Sequence, residues 1–372
     1  MSVSLSREKL IKKAKKIVIK IGSQLLEKNN NIDRDFISSL AKQISFLKKD
    51  SKDILIVSSG AVLAGVKKLG LKERPRTITE KQAVSAVGQA YLMQIYDFYF
   101  SKEKLNIGQV LLTIEGLRER KRYILAKNTI EKLLDFHVVP IINENDTVGV
   151  EEIVFGDNDF LAAHVSVLIN ADLLIILSTA GGLYTGEPTE KNSQLIEEIK
   201  DIEEALKFAR SSKSKFGTGG MRSKLEAAKI ATSHSIPVII APKKENIILK
   251  LLNGEKIGSF IYPEKKKKSQ KKSWLLTLSA PKGKIIIDEG AEKALKEGKS
   301  LLPAGIKEIE GIFSKKDVVA IENLEGRIIG KGIANYSYKE LKKIKGLKSK
   351  DVEHILGKKF TEVVHRDNLV LF

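Results

Sequence analysis

Short β-branched runs recur through the first part of the chain, at 17–21, 54–57, 107–114, 138–142, 172–178 and 236–241. Stretches of helical periodicity separate most of them. Apolar spacings of three and four predict helices over 33–48, about 80–100, 122–135, 158–170, 201–210 and 221–233. Asp33 and Asp201 stand where helix N-caps are expected. This alternation predicts an α/β fold, a mainly parallel open sheet flanked by helices on both faces. Ligands gather at the carboxyl ends of the strands in such sheets, so the loops that follow the runs are where chemistry is expected.

The pattern changes at Pro263-Glu-Lys-Lys-Lys-Lys-Ser-Gln-Lys-Lys-Ser273, a polar run that cannot bury itself and reads as a linker. Beyond Trp274 come short alternating runs at about 284–287, 309–313, 317–322 and 327–334, with glycine-bearing turns between them. They predict a small β-barrel or sandwich. A lysine-rich stretch of helical pattern follows, from Tyr338 to Leu356. The expected organisation is a large domain over 1–262, a basic linker over 263–273 and a small β-rich domain with a tail over 274–372. A chain of 372 residues is long enough for each domain to bury its own core.

Charge adds a second contrast between the two parts. The net charge is +19, and residues 263–372 alone carry 25 basic against 15 acidic groups, more than half of the excess. Such a surface suits an acidic partner such as RNA, although solvated lysine faces are the commoner reason for it. The absence of cysteine excludes disulfides, cysteine-based zinc sites and a cysteine nucleophile, and the five histidines show no metal-binding spacing. No apolar run approaches the ~18 residues of a membrane span. The stretch from Ser4 to Lys16 lacks the apolar centre of a signal peptide, so a soluble, cytoplasmic protein is expected.

Two glycine-bearing loops, each with a lysine, look like two sides of one phosphate site. Ile17-Val-Ile-Lys20-Ile-Gly22-Ser23 places Lys20 at the end of a strand, and Gly217-Thr-Gly-Gly-Met-Arg-Ser-Lys224 opens an alanine-rich helix whose free N–H groups favour an anion. Standard nucleotide motifs are absent. Gly326-Arg-Ile-Ile-Gly330-Lys331 is one spacer short of a P-loop, and His365-Arg366-Asp367 lacks the asparagine of a protein-kinase catalytic loop. The remaining polar loops each follow an apolar run: Val57-Ser58-Ser59-Gly60-Ala61, Ile141-Ile-Asn143-Glu144-Asn145-Asp146, Phe155-Gly156-Asp157-Asn158-Asp159, and Leu177-Ser178-Thr179-Ala180-Gly181-Gly182-Leu183-Tyr184-Thr185. Ser59-Gly60 is open to reading as a tight strand-to-helix turn, and Asp157 or Asn158 as an N-cap. Residues 151–200 hold nine acidic and two basic groups, and an aspartate brought between Lys20 and Lys224 would keep both ammonium groups charged. Asp159 is the candidate.

Taken in order, these motifs make the chain resemble the glutamate 5-kinase family of the amino-acid-kinase fold, which carries a C-terminal PUA domain. Asp288-Glu-Gly-Ala291, Ser300-Leu-Leu-Pro-Ala-Gly305 and Asn323-Leu-Glu-Gly326 match the PUA part, so the likeness covers nearly the whole chain. The resemblance implies a catalytic domain over 1–262 and a PUA domain within 274–372. It implies phosphorylation of the γ-carboxylate of L-glutamate by ATP with Mg²⁺, the first step of proline biosynthesis. Lys20, Asp159 and Lys224 would be catalytic, and Ser59, Asp146 and Asn158 would bind glutamate. Lys20, Ser178, Thr179, Thr218, Gly219, Gly220, Met221, Arg222, Ser223 and Lys224 would bind ATP. Thr179 departs from the family pattern, in which many relatives have aspartate. The resemblance further implies feedback inhibition by proline, a homo-oligomer and hand-over of product to γ-glutamyl phosphate reductase, with no membrane association. The alternative is an RNA-binding or regulatory protein acting through the PUA domain.

Overall fold

A computed structural model describes residues 6–29, 31–149, 158–186, 192–211, 220–264, 272, 274–275, 278–357, 359 and 361–372. The chain divides into two compact units, one built from the residues up to Leu117 with Lys121–Lys267, the other from Arg118–Arg120 with Lys268–Phe372. Most of the expected 263–273 linker lies outside the described residues.

Strands of the first unit are β1 (Lys16–Ile21), β2 (Glu27–Lys28), β3 (Asn31–Ile32), β4 (Asp53–Val57), β5 (Ile107–Leu112), β6 (Val139–Glu144), β7 (Leu173–Leu177), β8 (Glu198–Ile199), β9 (Val238–Ala241) and β10 (Ser259–Ile261). Eight of them form one sheet in the order β5-β6-β4-β1-β7-β9-β10-β8. The six from β5 to β9 in that order run parallel, and β10 pairs antiparallel with β9. The central strands are covered on both faces, which is why β4 (Asp-Ile-Leu-Ile-Val) and β7 (Leu-Leu-Ile-Ile-Leu) read as continuous apolar runs with no alternation. The short strands β2 and β3 make a separate hairpin. The sequence gives no warning of β8 and β10, because two or three residues are too few to express a period.

Register fixes what the carboxyl ends of the strands present. Lys20 of β1 lies beside Val57 of β4 and Ile176 of β7, and Leu177 lies beside Ala241 of β9. The loops after β1, β4 and β7 therefore start within a residue of one level, and β6 runs on two residues past Ile142, the partner of Val57. The chain leaves β1 for β4 on one side and returns to β7 on the other, so the crevice at this end is the topological switch point where such sheets bind ligands.

Helices set the loops. Asp33 caps Arg34–Lys49 by accepting from the Phe36 N–H, and Thr77 with Glu80 forms a capping box at the start of Ile78–Lys102. The latter helix crosses Ala61–Leu69 with the two backbones in contact. A Cβ added at Gly88 would lie 1.8 Å from the Ala61 carbonyl oxygen and 2.3 Å from the Gly65 nitrogen, and one at Gly65 would lie 1.9 Å from the Val84 carbonyl oxygen. Only glycine permits this approach.

In the second unit β11 (Gly283–Ile287), β12 (Ile306–Gly311), β13 (Val318–Glu322), β14 (Ile328–Ile333) and β15 (Leu369–Leu371) form a five-stranded sheet in the order β12-β11-β13-β14-β15. Every pairing is antiparallel except β11 with β13. Ile285, Ile287, Val319, Ile321, Tyr336 and Leu341 contribute to a core of its own. The helical stretch expected from Tyr338 to Leu356 is two helices, Tyr338–Ile344 and Ser349–Leu356, separated where Gly346 takes a left-handed φ of 77°.

The Gly65–Gly88 crossing gives a stability test. Gly88→Ala forces the two backbones apart, and overpacking of this kind costs about 1–3 kcal/mol or more. Its urea midpoint should fall well below that of the parent. Gly290→Ala, whose new Cβ would meet nothing closer than 3.4 Å, should stay within about 0.5 kcal/mol.

Candidate active site

Lys20 sits one residue from the end of β1, and Asp159 opens the helix Asp159–Leu168. Lys224 lies in the first turn of Met221–Thr232. These distant segments converge on one carboxylate: Lys20 Nζ is 2.7 Å from Asp159 Oδ1 and Lys224 Nζ is 3.0 Å from Asp159 Oδ2. All three side chains are buried, Asp159 completely. Gly22 lies beside the Lys20 ammonium, where a Cβ would stand 3.6 Å from it, an ordinary contact. Two ammonium groups and one carboxylate leave the trio one net positive charge at the ligand end of the sheet.

Beside the trio is a cluster of neutral polar side chains. Asn158 occupies the N-cap position of Asp159–Leu168 but does not cap it. Its Nδ2 instead donates to the Ser58 carbonyl (2.6 Å), to Asn143 Oδ1 (2.7 Å) and to Ser59 Oγ (3.2 Å). Asn143 Nδ2 donates to Gln89 Oε1 at 2.8 Å, and Asn143 Oδ1 also accepts from the Glu144 N–H at 3.0 Å. Asn158 Oδ1 and Gln89 Nε2 are buried and have no hydrogen-bond partner among the described residues. Ser59 precedes Gly60, whose φ of 95° turns β4 into Ala61–Leu69. The strand-to-helix turn is thus real, and it also delivers Ser59 to this cluster.

Asp146 lies farther along the loop after β6, half-buried, and accepts a short hydrogen bond from the Ser85 hydroxyl. Burial raises its carboxyl above the ordinary value, and the Ser85 bond offsets only part of this. Ser58 shares a 3.0 Å bond with the hydroxyl of Tyr96, a phenol that burial pushes up to about 12 despite that bond.

After β7, Ser178 is buried and its hydroxyl accepts from the Ala180 N–H at 3.3 Å. Thr179 is exposed and donates to Gln24 Oε1 at 3.3 Å. Gly181 and Gly182 both have positive φ, and a side chain at Gly182 would strike Leu195 and Ser259. On the second lysine loop, Gly220 precedes Met221–Thr232 with open space where a Cβ would stand, and the Ser223 hydroxyl donates to its carbonyl. Met221 lies on the same first turn, and Arg222 turns outward to Glu226 at 2.9 Å. Thr218, Gly219 and Asp157 lie outside the described residues.

Gln89, Ser85 and Gln24 are site neighbours that were not singled out from sequence, and Asn143 was read only as part of a polar run. A usable signal existed for the first two. Ser85 and Gln89 are polar residues four apart on the buried stripe of Ile78–Lys102 that also carries Val84, Gly88 and Leu92.

Comparison with known proteins identifies the two parts of the chain. The model of the "Amino acid kinase family" matches residues 15–242, and that of the "PUA domain" matches 283–356. The chain is 52% identical over 360 residues to a glutamate 5-kinase of Aquifex aeolicus, covering 96% of this chain and 99% of that one. It is 46% identical over 368 residues to a glutamate 5-kinase of Carboxydothermus hydrogenoformans, covering 97% and 99%. Among solved structures, a carbamate kinase of Giardia superposes with a TM-score of 0.50 at 17% identity, covering 68% of this chain and all of that one, a likeness of fold.

Two outcomes follow from the electrostatics. Asp159→Asn leaves two buried ammonium groups beside a neutral amide, and breaking a buried ion pair from one side costs about 3–5 kcal/mol. Urea unfolding should show a loss of that order. For Asp146 the sign is opposite. Its raised native pKa means that the folded state holds its proton more tightly, so stability falls as pH rises above the ordinary value of 3.8. Asp146→Asn should therefore be more stable than the parent at neutral pH, with the difference vanishing as pH falls to that value, as denaturation at a series of pH values would show.

Proposed function

The chain belongs to the amino acid kinase family, and from that premise we propose that it transfers the γ-phosphoryl group of ATP to the γ-carboxylate of L-glutamate, giving ADP and γ-glutamyl phosphate. The observation that carries the reading is the buried Lys20–Asp159–Lys224 trio at the carboxyl ends of the strands, with a polar cluster beside it. Relatives named glutamate 5-kinase match over nearly the full chain, which supports glutamate as the acceptor. That breadth of similarity disfavours RNA binding through the PUA domain as the main activity.

The chemistry sets the demands on the protein. A side-chain carboxyl with an ordinary pKa of about 4.3 is already ionised at neutral pH, so its attack needs no general base. The obstacle is repulsion between two anions. Catalysis then consists of holding the carboxylate oxygen in line with the γ-phosphorus and neutralising charge that moves onto the phosphoryl oxygens and the leaving ADP. Lys20 and Lys224 supply that charge in a water-poor site, and Asp159 holds both ammonium groups in place. Among the described residues no group of three or more His, Asp or Glu could hold a metal, so Mg²⁺ is placed here on the triphosphate as Mg·ATP, a substrate.

Ser59, Asp146 and Asn158 are assigned to glutamate, with Asp146 as the carboxylate that meets its ammonium group. Ser178, Thr179, and Thr218 to Ser223 are assigned to the nucleotide. Residues 1–262 would form the catalytic domain, 263–273 a linker, and 274–372 the PUA domain and tail. The proposal extends, on the family resemblance, to inhibition by proline, a homo-oligomeric state, a cytoplasmic location and delivery of the labile acyl phosphate to a γ-glutamyl phosphate reductase. No helix among the described residues is long and apolar enough to cross a membrane.

The decisive assay is ADP release with Mg·ATP and L-glutamate, L-aspartate or N-acetyl-L-glutamate, with hydroxylamine present to trap acyl phosphate. Glutamate-dependent turnover with γ-glutamyl hydroxamate is expected, and turnover with another acid alone would overturn the substrate assignment. Lys224→Ala should lower kcat by about 10²-fold or more, the effect of losing a charge partner to the transition state worth ~3 kcal/mol.

A further inference from the structure

The amides of Gln89, Asn143 and Asn158 form a chain whose direction the backbone dictates. An amide side chain can in principle present either its oxygen or its nitrogen to a neighbour. Here the Glu144 N–H donates to Asn143 Oδ1 at 3.0 Å, so that atom must be the oxygen. The Ser58 carbonyl accepts from Asn158 at 2.6 Å, so the atom facing it must be the nitrogen. Asn158 Nδ2 then meets Asn143 Oδ1 at 2.7 Å, donor to acceptor, with no conflict between the two fixed ends.

Two consequences follow. Asn143 Nδ2 needs a buried acceptor, and Gln89 Oε1 provides it at 2.8 Å from the neighbouring helix. At the other end Asn158 turns its oxygen away from all of these groups, and that atom is buried with no donor to it among the described residues. Buried acceptors are rarely left so, and one beside a ligand crevice awaits a donor from the ligand. Of the two substrates, the amino acid carries the strongest donor, its α-ammonium group.

We propose that Gln89 is a positioning residue that supports selectivity for an α-amino acid: by satisfying the buried Asn143 Nδ2 it removes the pull that would turn Asn143 against its backbone bond, and so secures the backbone-dictated polarity in which Asn158 presents an oxygen, rather than an amine, to the ammonium group of the acid. Gln89 touches neither substrate and works through Asn143. The helix that carries it is suited to the task. Four residues earlier Ser85 donates to Asp146, and three before that Gln82 Nε2 lies 3.5 Å from the Gly149 carbonyl. The residues thus line one helical face and grip the end of β6 and the loop after it at three points. Without the Gln89 acceptor, the buried Asn143 Nδ2 would drive that side chain to find another partner, and Asn158 would keep its bond to the Ser58 carbonyl but lose the fixed acceptor at Asn143 that shares in holding its plane.

This inference rests on the glutamate reading above, and the test separates the two. L-Glutamate KM, glutarate Ki (the same diacid without the ammonium group), ATP KM and kcat would be measured for the full chain, Gln89→Met and Gln89→Glu. Methionine keeps the length but offers no acceptor, and glutamate keeps an acceptor oxygen. For Gln89→Met the expected result is a glutamate KM raised at least 10-fold, with glutarate Ki, ATP KM and kcat each within about 3-fold, a change of 1.4 kcal/mol or more confined to the ammonium-bearing ligand. Gln89→Glu should recover most of the glutamate KM. A merely structural role would move ATP and glutarate together with glutamate. If Gln89→Met does not fold, Gln89→Leu replaces it. An unchanged ratio of glutamate KM to glutarate Ki in the acceptor-less variant, or equal losses in both variants, overturns the proposal while leaving the kinase reading intact. Failure of the parent chain to turn over glutamate removes the premise and overturns both.

Discussion

Two ammonium groups brought within about 3 Å of one buried carboxylate are the constraint around which the first unit is organised. Each charge left water at a cost that its partner returns only when geometry is good, so such a cluster is poor material for stability alone. Its value lies elsewhere. Lys20 belongs to a central strand, Asp159 to a helix start and Lys224 to a second helix start more than two hundred residues after the first lysine. The ion pairs form only when all three elements have docked. In the proposed reaction the trio would stand as a fixed positive charge that needs no rearrangement when a phosphate enters, the condition under which electrostatic catalysis is most effective.

The loops after β4 and β6 obey a different constraint, set by backbone contact. Glycines at 65 and 88 let Ala61–Leu69 and Ile78–Lys102 touch along their main chains. That contact fixes where the turn at Ser59-Gly60 emerges, because the turn begins the shorter helix. The longer helix also reaches both segments directly, through Tyr96 to Ser58, Gln89 to Asn143 at the end of β6 and Ser85 to Asp146. One helix therefore holds two loops that arrive from different strands. Asp146 is the exception to economy in this region, since its carboxylate is held partly out of water with a raised pKa. A charge kept at a cost to the fold belongs to the ligand side of the ledger.

How far this was legible in the sequence depended on the physics of each element. The parallel core could be read because strands covered on both faces are unbroken apolar runs, and β1, β4 and β7 fall within a residue of the expected limits. Asp33 was legible as a cap because capping is local. Asn158 shows the limit of that rule: an N-cap position suggests a local bond, but the amide turns to Ser58, 100 residues away in sequence, and to Asn143, 15 residues away. Strands β8 and β10 were invisible because tertiary pairing, not propensity, makes them. The helix Glu289–Lys296, capped by Asp288, went unread among the short strands of the second unit. Gln89 is hardest of all, since nothing local distinguishes a buried glutamine that orients another residue's amide from one that merely packs.

The two halves of the site differ in kind, and the ligands proposed for them give the reason. A triphosphate presents anionic oxygens in every direction, so point charges serve it well, and lysine needs only proximity. An amino acid carries both signs within a few ångströms, and a site made of charges alone would attract one end while repelling the other. Neutral amides solve this by offering a donor and an acceptor on one rigid plane, but only if the plane cannot turn over. Charge therefore dominates where Lys20, Asp159 and Lys224 meet, and fixed polarity dominates where Gln89, Asn143 and Asn158 meet. Asn158 and Asp159, adjacent in the chain, join the two regimes at one helix start. A displacement of that start disturbs both at once, which makes the first turn of Asp159–Leu168 the point where the geometry of acceptor and donor is jointly set.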